Sequence, residues 1–146
     1  MADASWYRLD NVGKFYSSQA GSSAQTVFRY AATMADDVDP AALQRALDRT
    51  VDVFPGFNVC LRSGMFWHYL EQAPRPPAVT QENLPICFGL HVDAKSVLIR
   101  VSWFRARINL EVSHMVSDGR GSLSFFKALL YAYVEERYGV EGLPQE

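Results

Sequence analysis

The sequence predicts an α+β fold, a mostly antiparallel or mixed β-sheet with helices packed on one face, and three observations carry that prediction. Residues 96–104 and 107–114 both alternate apolar with polar side chains, the period of half-buried strands. Residues 40–53 and 121–138 instead repeat their apolar residues at the 3.6 spacing of helices. Ser63-Gly64 and Arg105-Ala106 sit between strand-like runs where two-residue hairpin loops belong, which makes the strands they join antiparallel. At 146 residues the chain is read as one domain, 1–146, with enough length to bury a core and no room for a second.

Taken in order, Trp6-Tyr7-Arg8-Leu9 leads into Lys14-Phe15-Tyr16, and the Ser/Gly-rich residues 17–23 have the composition of an exposed loop. Thr26 to Met34 reads as a first long strand, with Val27, Arg29, Ala31 and Thr33 alternating against Phe28, Tyr30, Ala32 and Met34. Asp39-Pro40 starts a helix, because the carboxylate accepts from a free N–H of the first turn and a proline there loses no hydrogen bond. Leu43, Ala46, Leu47, Thr50 and Val51 form its buried stripe, Gln44, Arg45, Asp48 and Arg49 are expected to face water, and Phe54-Pro55-Gly56 ends it after Val53.

A hairpin of Phe57 to Arg62 with Met65 to Gln72 follows, and a two-residue loop would set Cys60 opposite Trp67 and Val59 opposite His68. Pro74-Arg75-Pro76-Pro77 makes a stiff exposed connector. Residues 78–94 read as loop with one short strand around Ile86 to Leu90. In the second hairpin a turn at Arg105-Ala106 faces Trp103 with Ile108, Val101 with Leu110 and Ile99 with Val112, while Arg100 meets Glu111 and Ser102 meets Asn109. One face is then core and the other carries a matched ion pair, so both faces specify the register. The last helix runs from Gly121 to Tyr138 and stops at Gly139; it is apolar almost all round, which predicts cover on both sides.

Composition narrows the function. The formal net charge is −2, and the 14 Lys and Arg are spread along the chain, which argues against nucleic acid or an anionic membrane surface as the main partner. No apolar run approaches the length of a membrane span and the N-terminus lacks a signal-peptide pattern, so the expected location is cytoplasmic. Cys60 and Cys87 have neither metal-type nor redox-type spacing and are read as buried reduced thiols. Hydrophobic residues make up 49 %, rich for a soluble domain, which suggests that some apolar surface meets a partner lobe or a ligand.

Chemistry concentrates at Ser113-His114-Met115-Val116-Ser117-Asp118-Gly119, where the alternating run stops and the long helix begins. His114 continues the series Ile108, Leu110, Val112 and is expected on the same strand face as those core side chains. An acid one tight turn away, Asp118, suits a held imidazole that accepts a proton. The plainer alternative is a core-edge histidine bonded to a backbone carbonyl, with Asp118 as the cap of the following helix. A metal site is disfavoured because His114 and Asp118 have no third ligand nearby. A Ser113-His114-Asp118 triad fails because neighbouring strand residues point to opposite faces and no G-x-S-x-G elbow exists. His68 and His91 are assigned surface or core-edge roles, and Phe57, Phe66, Trp67 and Trp103 are assigned to the core.

The Ser113–Gly119 stretch resembles the HHxxxDG signature of the condensation-domain/chloramphenicol-acetyltransferase-like superfamily. Residues 107–112 before it and 122–130 after it are similar to the bacterial alcohol acetyltransferase branch, and the order of strand, Asp-Pro helix and hairpin in the first half agrees. The resemblance spans most of the chain, although only HxxxDG is motif-grade.

It implies an acyl-thioester-dependent O- or N-acyltransferase in which His114 is the general base on an alcohol or amine acceptor. Asp118 orients the loop through an arginine, Gly119 leaves space for substrate, and Met115 and Val116 line the turn. The resemblance implies no bound cofactor; an acyl-CoA or acyl-carrier-protein thioester is the co-substrate. Two departures stand out. Ser113 replaces the family's first histidine, and the length matches only the N-terminal lobe of a two-lobed enzyme. The second lobe is therefore expected to be supplied elsewhere, by a longer parent protein or by association with another chain, and the isolated chain to be inactive. The competing class is a non-catalytic binding or assembly module that keeps the lobe fold.

Overall fold

The computed structural model describes residues 6–7, 27–63, 68–83, 97–113, 116 and 119–139. Several expectations fall outside these residues: His114, Met115, Ser117, Asp118, His91, Cys87, Phe66, Trp67, the strand around Ile86 to Leu90, and the loop at 17–23. The elements in chain order are β1 (Trp6–Tyr7), β2 (Val27–Thr33), α1 (Pro40–Val53), a 3-10 turn (Pro55–Phe57), β3 (Val59–Ser63), β4 (His68–Gln72), β5 (Thr80–Gln81), β6 (Ile99–Phe104), β7 (Arg107–Ser113) and α2 (Gly119–Tyr138). They form the α+β arrangement expected, with the strands divided between two sheets, ordered β1-β4-β3 and β2-β7-β6-β5.

The four-stranded sheet is the frame. β7 lies between β2 and β6, antiparallel to both, and β5 adds a parallel edge to β6. The β6–β7 register is the one both faces specify: Trp103 opposite Ile108, Val101 opposite Leu110, Ile99 opposite Val112, and Arg100 opposite Glu111. The turn between them places Arg105 at φ 52°, a left-handed conformation that a two-residue hairpin loop requires and that an arginine adopts at some cost.

One face of this sheet carries Phe28, Tyr30, Val101, Ile108, Leu110 and Val112 in rows that pack against α1 and α2 in a single apolar core. α1 spans Pro40 to Val53 as its sequence dictates. Asp39 accepts from the backbone N–H of Ala41 at 3.0 Å and of Ala42 at 3.5 Å, and Ala42, Leu43, Ala46, Leu47, Thr50 and Val51 are buried. Phe57 stacks on Phe125 of α2 with ring centroids 4.5 Å apart, so Phe57 is core as expected, and Trp103 packs partly buried against the same cluster.

Leu98, fully buried, ties the sheets together. Its N–H donates to the Val59 carbonyl at 3.1 Å and its own carbonyl accepts from the Ser113 N–H at 3.0 Å, beside a bridge between Cys60 and Val97. Cys60 is itself a buried thiol.

Four expectations need correction. The first hairpin pairs Cys60 with Glu71 and Val59 with Gln72, not with Trp67 and His68, because the ladder closes at Ser63 and His68 and leaves residues 64–67 between its ends. The slip is four residues, an even number, so each side chain keeps its face while changing its partner. Within 78–94 the strand described is β5 at Thr80–Gln81, whose two residues are too few for periodicity to show. Gln44 of α1 does not simply face water, because it bonds the Pro77 carbonyl and the Val79 N–H; Arg45 and Arg49 do face water, and pair there with Glu136 and Glu135. α2 begins at Gly119 and buries Phe125, Phe126, Leu129, Ala132 and Tyr133 on one side only, leaving Leu123 and Tyr131 more than 40 % exposed on the other.

Candidate functional site

The segment that holds the predicted base is anchored at both of its ends. β7 delivers the chain to Ser113, which is buried, and α2 takes it up at Gly119. The Ser113 carbonyl accepts from the Val116 N–H at 3.0 Å, closing a turn, and Val116 packs partly buried against the core. Of the predicted site residues, Gly119 is the first residue of α2, and His114 and Asp118 lie outside the described residues. Ser113 falls on the Glu111 and Asn109 face of β7, opposite to Val112, as strand alternation requires.

On that outer face of β2-β7-β6 the Arg100–Glu111 pair read from the hairpin is part of a larger network that the sequence did not reveal. Arginines far apart in the chain meet on it. Glu111 stands between Arg29 of β2 and Arg100 of β6, one row across three strands. Its carboxylate lies 3.1 Å from Arg29 Nη2 and accepts two bonds of 2.9 Å from Arg100 Nη2, one at each oxygen, with Arg100 Nε adding a third at 3.1 Å. The Glu111 side chain is only 1 % exposed. Arg29 continues to Glu82 at 2.7 Å, and Glu82 also takes Arg107 and, at 3.2 Å, the Asn109 amide.

Burial works against the Arg29 charge, but the hydrogen bonds it donates to Glu82 and Glu111 and their charges outweigh it, so its pKa rises. Burial likewise acts to raise the Glu82 carboxyl, yet Arg29 and Arg107 hold it below its usual value. Both groups therefore stay charged near neutral pH and serve neither as proton donors nor as acceptors there. The pairing of Arg100 with Glu111 was legible from the hairpin; Arg29 and Glu82 join through a strand pairing and a loop that carry no local signal.

Two spaces flank these elements. A cavity with about 30 Å³ open to a water-sized molecule lies among Arg29, Thr80, Gln81, Arg100, Ser102 and Glu111, room for a water and not for a substrate. An open groove of about 830 Å³ runs along the uncovered side of α2, lined by Phe54, Ser124, Lys127, Leu130, Tyr131 and Val134. Among the described residues no cluster of three or more His, Cys, Asp or Glu could hold a metal ion, and no helix is long and apolar enough to cross a membrane.

No protein-family model and no curated protein sequence matches the chain, so the comparison rests on structure. The starter condensation domain of rhizomide synthetase RzmA superposes with a TM-score of 0.74 at 11 % identity, covering 97 % of this chain and 40 % of that one. The SgcC5 protein from Streptomyces globisporus, solved with (R)-(-)-1-(2-naphthyl)-1,2-ethanediol and sucrose, gives 0.66 at 17 % identity over 94 % of this chain and 38 % of its own. The X-domain from teicoplanin biosynthesis, solved in complex with OxyB, gives 0.67 at 17 % identity over 94 % and 35 %. The chain thus spans about two fifths of the length of the structures it matches. At 11 % identity the likeness is one of fold, and the fold is that of part of a condensation domain.

Proposed function

We propose that this chain is the base-bearing lobe of an acyl-thioester-dependent O- or N-acyltransferase, of the condensation or alcohol acetyltransferase kind, completed by a second lobe or a partner chain. The observation that supports it most is the bracketing of Ser113–Gly119 between the central strand and the longest helix of a lobe with this fold. A motif with an imidazole needs that kind of anchoring to act as a base of fixed position. Neutral His114 takes the proton of the acceptor O–H or N–H as the oxygen or nitrogen attacks the thioester carbonyl. The C–S bond breaks, the imidazolium returns the proton to the departing sulfur, and an ester or amide and a free thiol leave. No covalent enzyme intermediate is needed. Asp118 orients the segment and Gly119 leaves room for substrate. That SgcC5 was solved with a diol favours a hydroxyl acceptor. The acyl donor is a thioester of coenzyme A or of a carrier protein, and the location is cytoplasmic.

The test is thiol release by the full-length protein across a panel of alcohols, amines and acyl thioesters. His114→Ala is expected to lower turnover on the order of 10²- to 10⁴-fold with the circular dichroism spectrum unchanged; wild-type turnover by that variant overturns the assignment. Asp118→Ala should lose thermal stability together with activity, and a stable but inactive variant would point to a direct chemical role instead.

A second reading, a binding or assembly module without turnover, is favoured by Ser113 in place of the family's first histidine and by the X-domain having been solved with a partner protein. Absence of thiol release from every donor and acceptor in the panel would select it.

A further inference from the structure

We infer that the free edge of β2 is a docking surface for a second copy of this chain, the two β2 strands pairing antiparallel about a two-fold axis at Tyr30 so that one sheet runs through both copies. The pairing stands whether or not the chain transfers acyl groups. The four-stranded sheet has two edges, and they are built differently. β5 is two residues long and follows Pro74, Pro76 and Pro77, a short, proline-flanked edge that discourages pairing with another chain. β2 has no such protection. Its seven residues pair with β7 without a bulge, include no proline or lysine, and carry one charge, Arg29, which is turned into its own sheet toward Glu82 and Glu111. No residue of β2 is buried, and Ala31 and Thr33 are exposed.

The open backbone groups follow from the ladder. Met34 donates its N–H to the Ala106 carbonyl at the turn end of β7, so the alternation of an antiparallel pair turns the backbone of Phe28, Tyr30 and Ala32 toward β7 and that of Val27, Arg29, Ala31 and Thr33 away from it. Among the described residues no strand or loop bonds those outward N–H and C=O groups. The strand's own sequence names the occupant. Two copies of β2 centred on Tyr30 pair along their whole length: Val27 meets Thr33, Phe28 meets Ala32, Arg29 meets Ala31, and Tyr30 meets its own copy. Phe28 and Arg29 each lie opposite an alanine with room for them, and two aromatic rings meet at the axis. The outward groups of Val27 with Thr33, and of Arg29 with Ala31, fall into hydrogen-bonded pairs. Neighbouring registers are worse, since centring on Arg29 sets guanidinium against guanidinium and centring on Ala31 carries Val27 and Phe28 past the end of the other strand. A two-fold contact uses the same patch on both copies and closes both open edges at once. Phe126 of α2 stacks on Tyr30, and Leu123 one turn earlier is 41 % exposed, so apolar surface flanks the edge.

The experiment is sedimentation velocity of the full-length protein from about 1 μM to about 1 mM. An edge this short buries less than a standard interface of roughly 1,600 Å², so the wild type is expected to pass from monomer to dimer across that range. Ala31→Lys, which sets an ammonium opposite Arg29 of the other copy from an exposed position, is expected to raise the dimer Kd at least about tenfold with the melting temperature unchanged. Disulfides read the register. An equal mixture of Val27→Cys and Thr33→Cys is expected to cross-link on mild oxidation above the wild-type background, and Thr33→Cys alone is not, because it faces Val27 in the other copy. Should Ala31→Lys not fold, Ala31→Pro, which removes only an outward N–H, gives the same reading. A wild type that stays monomeric throughout, a dimer as tight in the folded Ala31 variant, or cross-linking by Thr33→Cys alone to the extent of the mixture overturns the pairing.

Discussion

The two faces of the β2-β7-β6 sheet are built from the same three strands and bury comparable rows by opposite means. Toward the helices, Tyr30, Leu110 and Val101 make an apolar row in which no partner is specific. On the other side, one residue along each strand, Arg29, Glu111 and Arg100 make a row in which every partner is. Area drives the first and tolerates exchange of similar shapes. The second holds only as a set, because the Glu111 charge is buried and depends on the two mostly buried arginines beside it. The difference teaches that burial alone does not say how a face will respond to change.

The largest effect should come from breaking the set. Glu111→Ala takes from Arg100 the carboxylate that grips it and leaves Arg29 with Glu82 alone, and is expected to cost about 4 kcal/mol in urea unfolding. Leu110→Ala, its neighbour on the apolar side, is expected to cost about 3 kcal/mol through lost contacts and a residual cavity. Removing the whole row with Arg29→Met, Glu111→Leu and Arg100→Met together should return the stability to within about 2 kcal/mol of the wild type. If the triple variant were less stable than Glu111→Ala, the row would be worth more than its place in the register.

Sequence reasoning found one of these faces better than the other. Alternation from Ile99 to Val112 gave the β6–β7 register from both sides, and Asp39-Pro40 gave the start of α1 to the residue. It gave Arg100 with Glu111 because a hairpin is local. It missed Arg29, which reaches Glu111 only through a pairing between strands 82 residues apart, and Glu82, which follows a two-residue strand. The hairpin β3–β4 slipped by four because turn length was taken from Ser63-Gly64, while the ladder closes at Ser63 and His68. The motif itself was legible as a pattern, since the change from strand period to helix period falls on it; its chemistry rests on resemblance to a family, and local periodicity carries none of it.

Acid should separate the two faces further. Arg29 and Arg107 keep the Glu82 carboxyl below its usual value against the effect of burial. A group whose pKa is depressed on folding contributes stability that is complete above its unfolded value, about 4.3, and is lost as pH falls through the lower folded value. The stability difference between wild type and Glu82→Gln is therefore expected to be constant from about pH 7 to pH 5 and to shrink below about pH 4. A difference that stays the same at pH 3 would mean that Glu82 gains nothing from its arginines.

The smallest effect should come from the other arginine–carboxylate cluster, the one on the surface. Arg49 reaches Glu135 at 2.7 Å and Glu136 at 3.1 Å, distances as short as those around Glu111, yet its side chain is 50 % exposed. The hydrogen bonds to Glu135 and Glu136 raise the Arg49 pKa, and those from Arg45 and Arg49 lower that of Glu136, so the pairing is present. Water competes for both partners and salt screens them, whereas the Glu111 side chain is 1 % exposed and its pairs are screened far less. Arg49→Ala is expected to cost less than about 1 kcal/mol, and the cost should vanish in roughly 1 M salt. Glu111→Ala measured beside it should keep its full effect at every salt concentration, and a loss that fades with salt at both positions would show that the outer face of the sheet is open to solvent.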